Sequence, residues 1–301
     1  MKNLNELINM AKEQQTKKLA VAACHDEEVL KAVISAAEKE LIEPILIGDI
    51  EKTNKLAKEL SLEIENYEKV DLTDLTDIAV KAVKYVSEGK ADFVMKGLID
   101  TSILLKEVLN KDYGLRTDSL LSHVMVYEVP TYHKLVFLTD GGMNIEPDLD
   151  SKVKITKNAI KVSKALGNKN VKVSILAAKE KVNPKMPATV DADKIKQLWK
   201  DGKFEDGTVI DGPLALDLAI SKEAAETKGF NSEVAGDTDI LLVPNIEMGN
   251  GIGKSLTYFA KAKSAGIIMG AKAPVVLVSR ADTHEAKLNS IALGSVISAY
   301  K

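Results

Sequence analysis

The sequence predicts an α/β protein of two domains with mostly parallel sheets. Short, almost continuously apolar runs alternate with amphipathic helical patterns along the chain, and such strands are typical of parallel sheets covered on both faces. A length of 301 residues is enough for two ordinary domains. Hydrophobic residues make up 45% of the chain and charged residues 28%, which is typical of a soluble globular protein.

The spacing of the apolar residues predicts the elements in order. Residues 1–18 have the pattern of an amphipathic helix. Strands are predicted where apolar residues run together, at 18–24, 42–48, 91–97, 122–129, 134–140, 171–177, 207–212, 238–244 and 273–280. Helices are predicted where they recur every third or fourth residue, at 26–40, 75–89, 151–166 and 212–225. Two further stretches read as strand, turn and helix, at 93–109 and 276–300.

The charge and the chain's ends exclude several classes of protein. The net charge is −3, so we expect no nucleic-acid partner. We find no apolar run long enough to span a membrane and no signal peptide, so we expect no membrane partner. Cys24 is the only cysteine, which excludes a disulfide within the chain. The sequence therefore predicts a cytoplasmic protein.

Arginine is rare in this chain, and that makes its two positions informative. Of 41 lysines and arginines, only Arg116 and Arg280 are arginine. The planar guanidinium binds phosphate or carboxylate with two hydrogen bonds, which lysine cannot reproduce. Both arginines are therefore candidates for anion binding, and the alternative for each is a structural salt bridge.

The stretch PNIEMGNGIGKSLTYFAKA, residues 244–262, narrowly misses a loop that binds nucleoside triphosphates. That pattern needs a glycine at position 248, where this chain has Met248. Glycines after a strand still let backbone N–H groups approach an anion at a helix N-terminus, and α/β proteins bind ligands beyond the carboxyl ends of their strands. We predict such a site at Asn245, Gly249, Asn250 and Gly251.

Two other strand ends carry candidate residues. After the strand 91–97, Lys96 and Gly97 lie where a ligand is expected, and Thr101 either caps the next helix or holds a phosphate. After the last strand come Ser279 and Arg280. A serine hydroxyl can bind a reacting sulfur or oxygen, and a guanidinium can stabilise developing negative charge.

Several chemistries have no support in the sequence. The four histidines and Cys24 lack the spacing of a metal site. The glycine fingerprint of dinucleotide-binding proteins and the nucleophile elbow of hydrolases are absent as well. We therefore predict no metal and no tightly bound cofactor. Cys24 ends the first strand, so we expect it to be buried and inert rather than a nucleophile.

Five segments together resemble the phosphate acetyl/butyryl transferase family, and the resemblance extends over essentially the whole chain. They are VMKGLIDTS (94–102), NPKMPATVDA (183–192), DGPLALDLA (211–219), PNIEMGNGIGKSLTYFA (244–260) and VLVSRADT (276–283). The family implies two α/β domains with the active site in the cleft between them. The first domain would comprise residues 1–133 plus the C-terminal segment 270–301, and the second residues 134–269.

The resemblance also implies an activity, the reversible transfer of an acyl group between coenzyme A and inorganic phosphate. We expect butyryl-CoA and phosphate to give butyryl phosphate and CoA, in butyrate and short-chain acyl metabolism. An acetyl or a branched acyl group is the alternative. Acyl-CoA and phosphate would then be the partners, with CoA a substrate and not a bound cofactor. We further expect a homo-oligomer, a dimer or larger.

The family's site residues transfer only in part. Its Ser-Arg pair falls on Ser279 and Arg280, and its Gly-Asn turn on Gly249 and Asn250. Relatives that transfer acetyl have a proposed aspartate base where this chain has Ala286. Asp282 and Glu285 are the nearest acids, so the base is one of these two or neither, and Glu285 can equally be part of a helix cap.

Two readings from other classes stay open at this point. A dehydrogenase of the isocitrate type needs clustered aspartates for a divalent metal and several arginines for carboxylates, and two arginines fit it poorly. A regulatory protein that only binds CoA would release no thiol from acyl-CoA and phosphate. A thiol-release assay separates all three.

Overall fold

The computed structural model describes residues 1–278 and 282–300. The chain forms two compact units. The terminal unit comprises residues 4–119 and 265–301, and the inserted unit comprises residues 1–3 and 120–264. Each contains helices and mostly parallel strands, so the predicted α/β fold class is confirmed.

The terminal unit begins with a helix and closes with one. Its elements are α1 (Leu4–Lys12), β1 (Lys17–Ala22), α2 (Glu27–Glu38), β2 (Ile42–Gly48), α3 (Ile50–Glu59), β3 (Glu68–Asp71), α4 (Leu75–Ser87), β4 (Phe93–Lys96), α5 (Thr101–Val108), β10 (Lys263–Met269), β11 (Val275–Val276) and α11 (His284–Ala299). The strand order is β3-β2-β1-β4-β11-β10. β3 with β2, β2 with β1, β1 with β4 and β4 with β11 pair in parallel, and β10 pairs antiparallel with β11.

Sequence explains where these helices start and which of them is central. Asp26, Asp49 and Asp74 precede α2, α3 and α4, and each side chain accepts a hydrogen bond from an N–H of the first turn. Helix α11 is buried at every residue from Lys287 to Ile297, and it packs against α1, α2, β1, β4 and β11. The C-terminal segment therefore supplies part of the core of the terminal unit.

The inserted unit begins with an antiparallel pair and continues as parallel strands. Its elements are β5 (Ser122–Glu128), β6 (Val136–Thr139), α6 (Leu149–Ala165), β7 (Val171–Leu176), α7 (Pro187–Lys200), β8 (Thr208–Leu214), α8 (Leu216–Ile220), α9 (Lys222–Thr227), β9 (Ile240–Leu242) and α10 (Ile246–Tyr258). The strand order is β5-β6-β9-β7-β8; β5 pairs antiparallel with β6, and the following neighbours in this order pair in parallel. Leucines of β6, β7, β8 and β9 form its core with Tyr127.

The structure differs from the sequence predictions in the boundaries of the two units and in one predicted helix. The sequence divides the chain at 133/134 and 269/270, whereas the compact units change at 119/120 and 264/265. Because β5 and β6 are hydrogen-bonded to each other, a boundary at 133/134 would separate paired strands. The helix predicted at 212–225 is instead the end of β8 followed by α8 and α9, which Ser221 separates and caps.

Candidate active site

In the inserted unit, the predicted anion site lies at the carboxyl ends of two neighbouring strands. Thr139 ends β6 opposite Leu242, which ends β9 in the parallel register. The turn 140–144 and helix α10 follow these two strands. Parallel strands place such following segments at the same edge of a sheet, and Gly141 indeed lies against Gly249.

Asp140 organises this edge. Its carboxylate is buried, with 2% of the residue exposed, and it accepts hydrogen bonds from five groups. The donors are the backbone N–H groups of His123 (3.2 Å), Gly142 (2.8 Å), Met143 (2.9 Å) and Asn144 (3.3 Å) and the side-chain amide of Asn144 (2.6 Å). Charged acceptors form the stronger hydrogen bonds, so Asp140 fixes the turn and ties it to β5.

The glycine-rich stretch after β9 is part of helix α10. Asn245 is the N-cap of α10, and its side-chain oxygen accepts a hydrogen bond of 3.1 Å from the N–H of Met248. Gly249, Asn250 and Gly251 therefore lie within the first two turns of α10, and the N-cap explains why a run with three glycines stays helical. The positive end of the α10 dipole, where anions are favoured in general, therefore lies at this edge of the sheet.

Two glycines of α10 have different reasons to be glycine. A Cβ on Gly249 would lie 2.6 Å from the Cα of Gly141 and 2.9 Å from the carbonyl oxygen of Asp140, so the close packing of helix and turn requires it. A Cβ on Gly251 would meet nothing within 4 Å, and this residue is exposed. Packing therefore does not explain Gly251, although glycine inside a helix costs about 0.5–1 kcal/mol relative to alanine.

We expect Gly251→Ala to stabilise the protein and slow the enzyme. The helix gains roughly 0.5–1 kcal/mol, which raises Tm by about 1–4 °C. If a phosphate of a substrate approaches the bare backbone here, the added methyl group lowers kcat/KM by about tenfold or more. Steady-state kinetics and thermal unfolding measure both effects on one variant.

Asn54→Ala is the matched control, because Asn54 is exposed in α3 and Ala is also the better helix former there. It should raise Tm without changing kcat/KM. Wild-type kinetics in Gly251→Ala would show that Gly251 is not part of the binding site.

In the terminal unit, Lys96 and Gly97 shape the end of β4. Lys96 is buried, and its ammonium donates hydrogen bonds to the carbonyl oxygens of Gly97 (3.2 Å) and Ile99 (3.0 Å). A Cβ on Gly97 would lie 2.2 Å from the carbonyl oxygen of Ala23. Gly97 therefore permits close packing against Ala23, the residue that follows β1. The two hydrogen bonds of the Lys96 ammonium given above are to the turn that follows Lys96 itself.

Thr101 is the first residue of α5, and the N-cap is Asp100. The predicted capping role of Thr101 is thus wrong by one position. Thr101 is exposed, so its hydroxyl remains at the positive end of the helix dipole, where anions are favoured.

Arg116 lies away from Lys96 and Gly97, on a loop that is anchored on both sides. Leu115 accepts a backbone hydrogen bond of 2.7 Å from Lys272, and the hydroxyl of Thr117 donates one of 2.5 Å to the carbonyl of Gly270. These partners precede β11, whereas Gly97 follows β4, which runs parallel to β11. The guanidinium is exposed and has no hydrogen bond or ion pair within the described part of the chain, which disfavours the salt-bridge alternative for Arg116.

Ser279 and Arg280 lie outside the described residues, and the helix that follows them starts one residue later than a capping box requires. Thr283 is the N-cap of α11, and its hydroxyl accepts a hydrogen bond of 3.2 Å from Ala286. Glu285 is exposed in the first turn and Asp282 is half-buried. Because the N3 residue is Ala286, Glu285 does not complete a capping box, and its carboxylate lies at the positive end of the helix dipole.

Cys24 is buried, as predicted. Its thiol lies 3.4 Å from the hydroxyl of Thr53, and burial raises the pKa of Cys24 to about 11. At neutral pH the thiol is therefore protonated and a poor nucleophile. Across residues 1–278 and 282–300, no cluster of three or more His, Cys, Asp or Glu side chains is placed to bind a metal ion. In the same ranges, the helices are too short or too polar to cross a bilayer.

Comparison with known proteins identifies the family. Residues 3–76 and 71–295 match the family described as phosphate acetyl/butaryl transferase. The chain belongs to the phosphate acetyl/butyryl transferase family. It is 46% identical over 301 residues to the phosphate butyryltransferase of Clostridium acetobutylicum, covering 100% of both chains. It is 42% identical over 293 residues to the phosphate acetyltransferase of Thermotoga maritima, covering 97% of this chain and 99% of that one.

A solved member of the phosphate acetyl/butyryl transferase family has the same fold. The branched-chain phosphotransacylase from Enterococcus faecalis V583 superposes with a TM-score of 0.84 at 36% identity, covering 95% of this chain and 100% of that one. The family predicted from the five segments is thus confirmed.

The rule that ligands bind beyond the carboxyl ends of strands points to Asp140, Gly141 and Gly142, but it does not reveal the structural role of Asp140. Its position directly after a strand and before two glycines was visible. Its five hydrogen bonds depend on the pairing of β5 with β6, which brings His123 to it, and no local pattern reveals that pairing.

Proposed function

We propose that the protein interconverts butyryl-CoA plus phosphate and butyryl phosphate plus CoA. The observation that carries this proposal is the identity of 46% over both whole chains to a phosphate butyryltransferase. It is supported by an exposed arginine on an anchored loop and by a glycine of α10 that packing does not explain.

The reaction is a direct exchange at the acyl carbon. The sulfur of CoA attacks the carbonyl carbon of butyryl phosphate as a thiolate, after its proton passes to a base. The resulting oxyanion collapses, the carbon–oxygen bond to phosphate breaks, and butyryl-CoA and phosphate leave. Because the only cysteine is buried and protonated at neutral pH, we favour transfer in a ternary complex over an acyl-enzyme.

Each candidate residue has a distinct role in this proposal. Arg280 stabilises the oxyanion and Ser279 hydrogen-bonds the reacting sulfur or oxygen. Asp282 and Glu285 are the candidate bases. Arg116 binds a phosphate of CoA, and the phosphates of CoA lie at the far end of its pantetheine arm from the thiol. A location of Arg116 away from the turn at Gly97 suits that role.

Acetyl and branched acyl groups are the alternative substrates, because relatives named for both are similar to this chain. Burying a methylene group contributes about 0.8 kcal/mol, so butyryl gains at most about 1.6 kcal/mol over acetyl, or roughly tenfold. We therefore expect overlapping specificity. Comparing kcat/KM for acetyl-CoA, butyryl-CoA and isobutyryl-CoA decides the preferred substrate.

The decisive experiment is release of free thiol from butyryl-CoA by the purified protein. We expect release only with phosphate, without a nucleotide and in the presence of EDTA, and none with chloride at equal ionic strength. A thiol reagent is a suitable detector because the protein's only cysteine is buried. Release without phosphate would indicate a thioesterase, and no release at all would favour a protein that only binds CoA.

A further inference from the structure

Ile145 is an exposed apolar residue at the carboxyl edge of the strands of the inserted unit. It lies in the connection from β6 to α6, and 68% of the residue is exposed. Its carbonyl accepts a hydrogen bond of 3.0 Å from the N–H of Ile246, and the turn before it is fixed by Asp140. Single exposed apolar residues are common on protein surfaces, so the position of Ile145 in the fold must decide whether it has a role.

The two connections that meet at Ile145 lead to opposite faces of the sheet. Side chains of successive strand residues point to opposite faces, and Ser122 and Tyr127 of β5 are an odd number of residues apart. Helix α6, which follows β6, lies on the face of Ser122, where the side-chain amide of Asn158 donates to the serine hydroxyl at 2.8 Å. Helix α10, which follows β9, lies on the other face, because a Cβ on Gly253 would be 2.7 Å from the hydroxyl of Tyr127.

This divergence marks the place where a ligand is expected. β6 and β9 are neighbouring parallel strands, and α/β sheets bind ligands beyond the carboxyl ends of two such neighbours whose connections separate. Ile145 belongs to one connection and is hydrogen-bonded to Ile246, the first residue of α10, on the other. The exposed isoleucine therefore lies at the point that this rule selects.

We propose that Ile145 contacts the alkyl chain of the acyl group and contributes to a preference for butyryl over acetyl. An acyl phosphate carries an anionic group and a short apolar chain on the same carbon. The positive end of the α10 dipole favours the anion, and Ile145 provides apolar surface beside the first residue of that helix. The inference rests on the proposed function, because that function supplies the acyl group.

The test compares Ile145→Ala with the wild type on acetyl-CoA and on butyryl-CoA, each with saturating phosphate. We expect the ratio of kcat/KM for butyryl-CoA to that for acetyl-CoA to fall about threefold to tenfold, because two methylene groups lose apolar contact. The kcat/KM for acetyl-CoA should stay within about twofold of the wild type. Ile145→Val, which removes less apolar surface, should give a smaller fall in the ratio, of about twofold. Because Ile145 is mostly exposed, Tm should change by less than about 2 °C in both variants.

Ile220→Ala is the matched control, because it removes the same atoms near the opposite edge of the strands. Ile220 is 39% exposed and is the last residue of α8. The residue before it, Ala219, accepts a hydrogen bond of 2.7 Å from the hydroxyl of Thr238, which precedes the start of β9. This variant should keep the wild-type ratio of the two substrates.

An unchanged ratio in Ile145→Ala overturns the proposal, whether or not sedimentation shows a change in oligomer mass; with such a change, Ile145 would belong to an interface between copies of the chain. An equal loss with both substrates also overturns it, since the pantetheine arm and the phosphate are common to both reactions. If Ile145→Ala yields no folded protein, Ile145→Val replaces it, and a wild-type ratio there is again contrary. A wild-type protein without phosphate-dependent thiol release from either acyl-CoA would instead refute the proposed function before any variant is measured.

Discussion

Arg280→Lys is expected to lower kcat about a hundredfold, because lysine keeps the charge but loses the planar pair of donors that faces a developing oxyanion. The interaction would be made in the transition state and not in the ground state, so kcat and kcat/KM should fall together while KM changes little. Initial-rate kinetics with both substrates varied measure this directly.

Arg116→Lys is the internal comparison, and we expect it to change a different kinetic parameter. A phosphate of CoA is bound equally in the ground and transition states, so losing that contact raises KM for CoA and leaves kcat nearly unchanged. The two variants remove the same chemical group from the chain's only two arginines. Wild-type kcat and KM in both would defeat the anion-binding hypothesis.

Asp140→Asn should cause the largest loss of stability. In the wild type, backbone N–H groups donate to both oxygens of the Asp140 carboxylate. The asparagine amide keeps one oxygen, and its NH₂ group would face some of these donors. Leaving at least two buried donors unsatisfied costs about 3 kcal/mol or more, which lowers Tm by roughly 6–12 °C. Thermal unfolding followed by circular dichroism measures the change.

Asp150→Asn is the control for Asp140→Asn, because Asp150 is exposed in the first turn of α6. At an exposed position the interaction of a carboxylate with the helix dipole contributes only about a few tenths of a kcal/mol to stability. Kinetics of Asp140→Asn at low temperature add a second measurement, because the turn it holds packs against α10. A Tm within 2 °C of the wild type would contradict the role of Asp140 as organiser of this edge.

The sequence predicted the fold well where elements are apolar or strongly periodic. The buried strands β1, β2, β5 and β7 lie where the apolar runs predicted them. The edge strand β3 was missed because its side chains are polar and partly exposed, so it lacks the pattern of a buried strand. Helix α7 was missed because prolines precede it, although Pro187 is favourable as its first residue.

The candidate site residues remain predictions, and the sequence distinguishes them best where a rare residue type is involved. Arg116 stood out by composition, and its lack of a carboxylate partner among the described residues supports that prediction. Glycine disfavours helices, so the composition of Gly249 to Gly251 does not show that they are helical; the cap at Asn245 and the packing of Gly249 against Gly141 are seen only in the structure.

The burial of α11 within a unit that begins at residue 4 has a consequence for biosynthesis. Its binding surface on α1, α2 and β1 emerges from the ribosome long before the helix does, since residues 120–264 are translated in between. At ~5–20 residues per second that interval lasts roughly 7–30 s. The inserted unit, nearly continuous in sequence, can fold during this time, while the terminal unit keeps its apolar surface uncovered and open to aggregation. We therefore expect the yield of soluble protein to depend on growth temperature and on the supply of chaperones, because the terminal unit is exposed to aggregation until α11 has been synthesised.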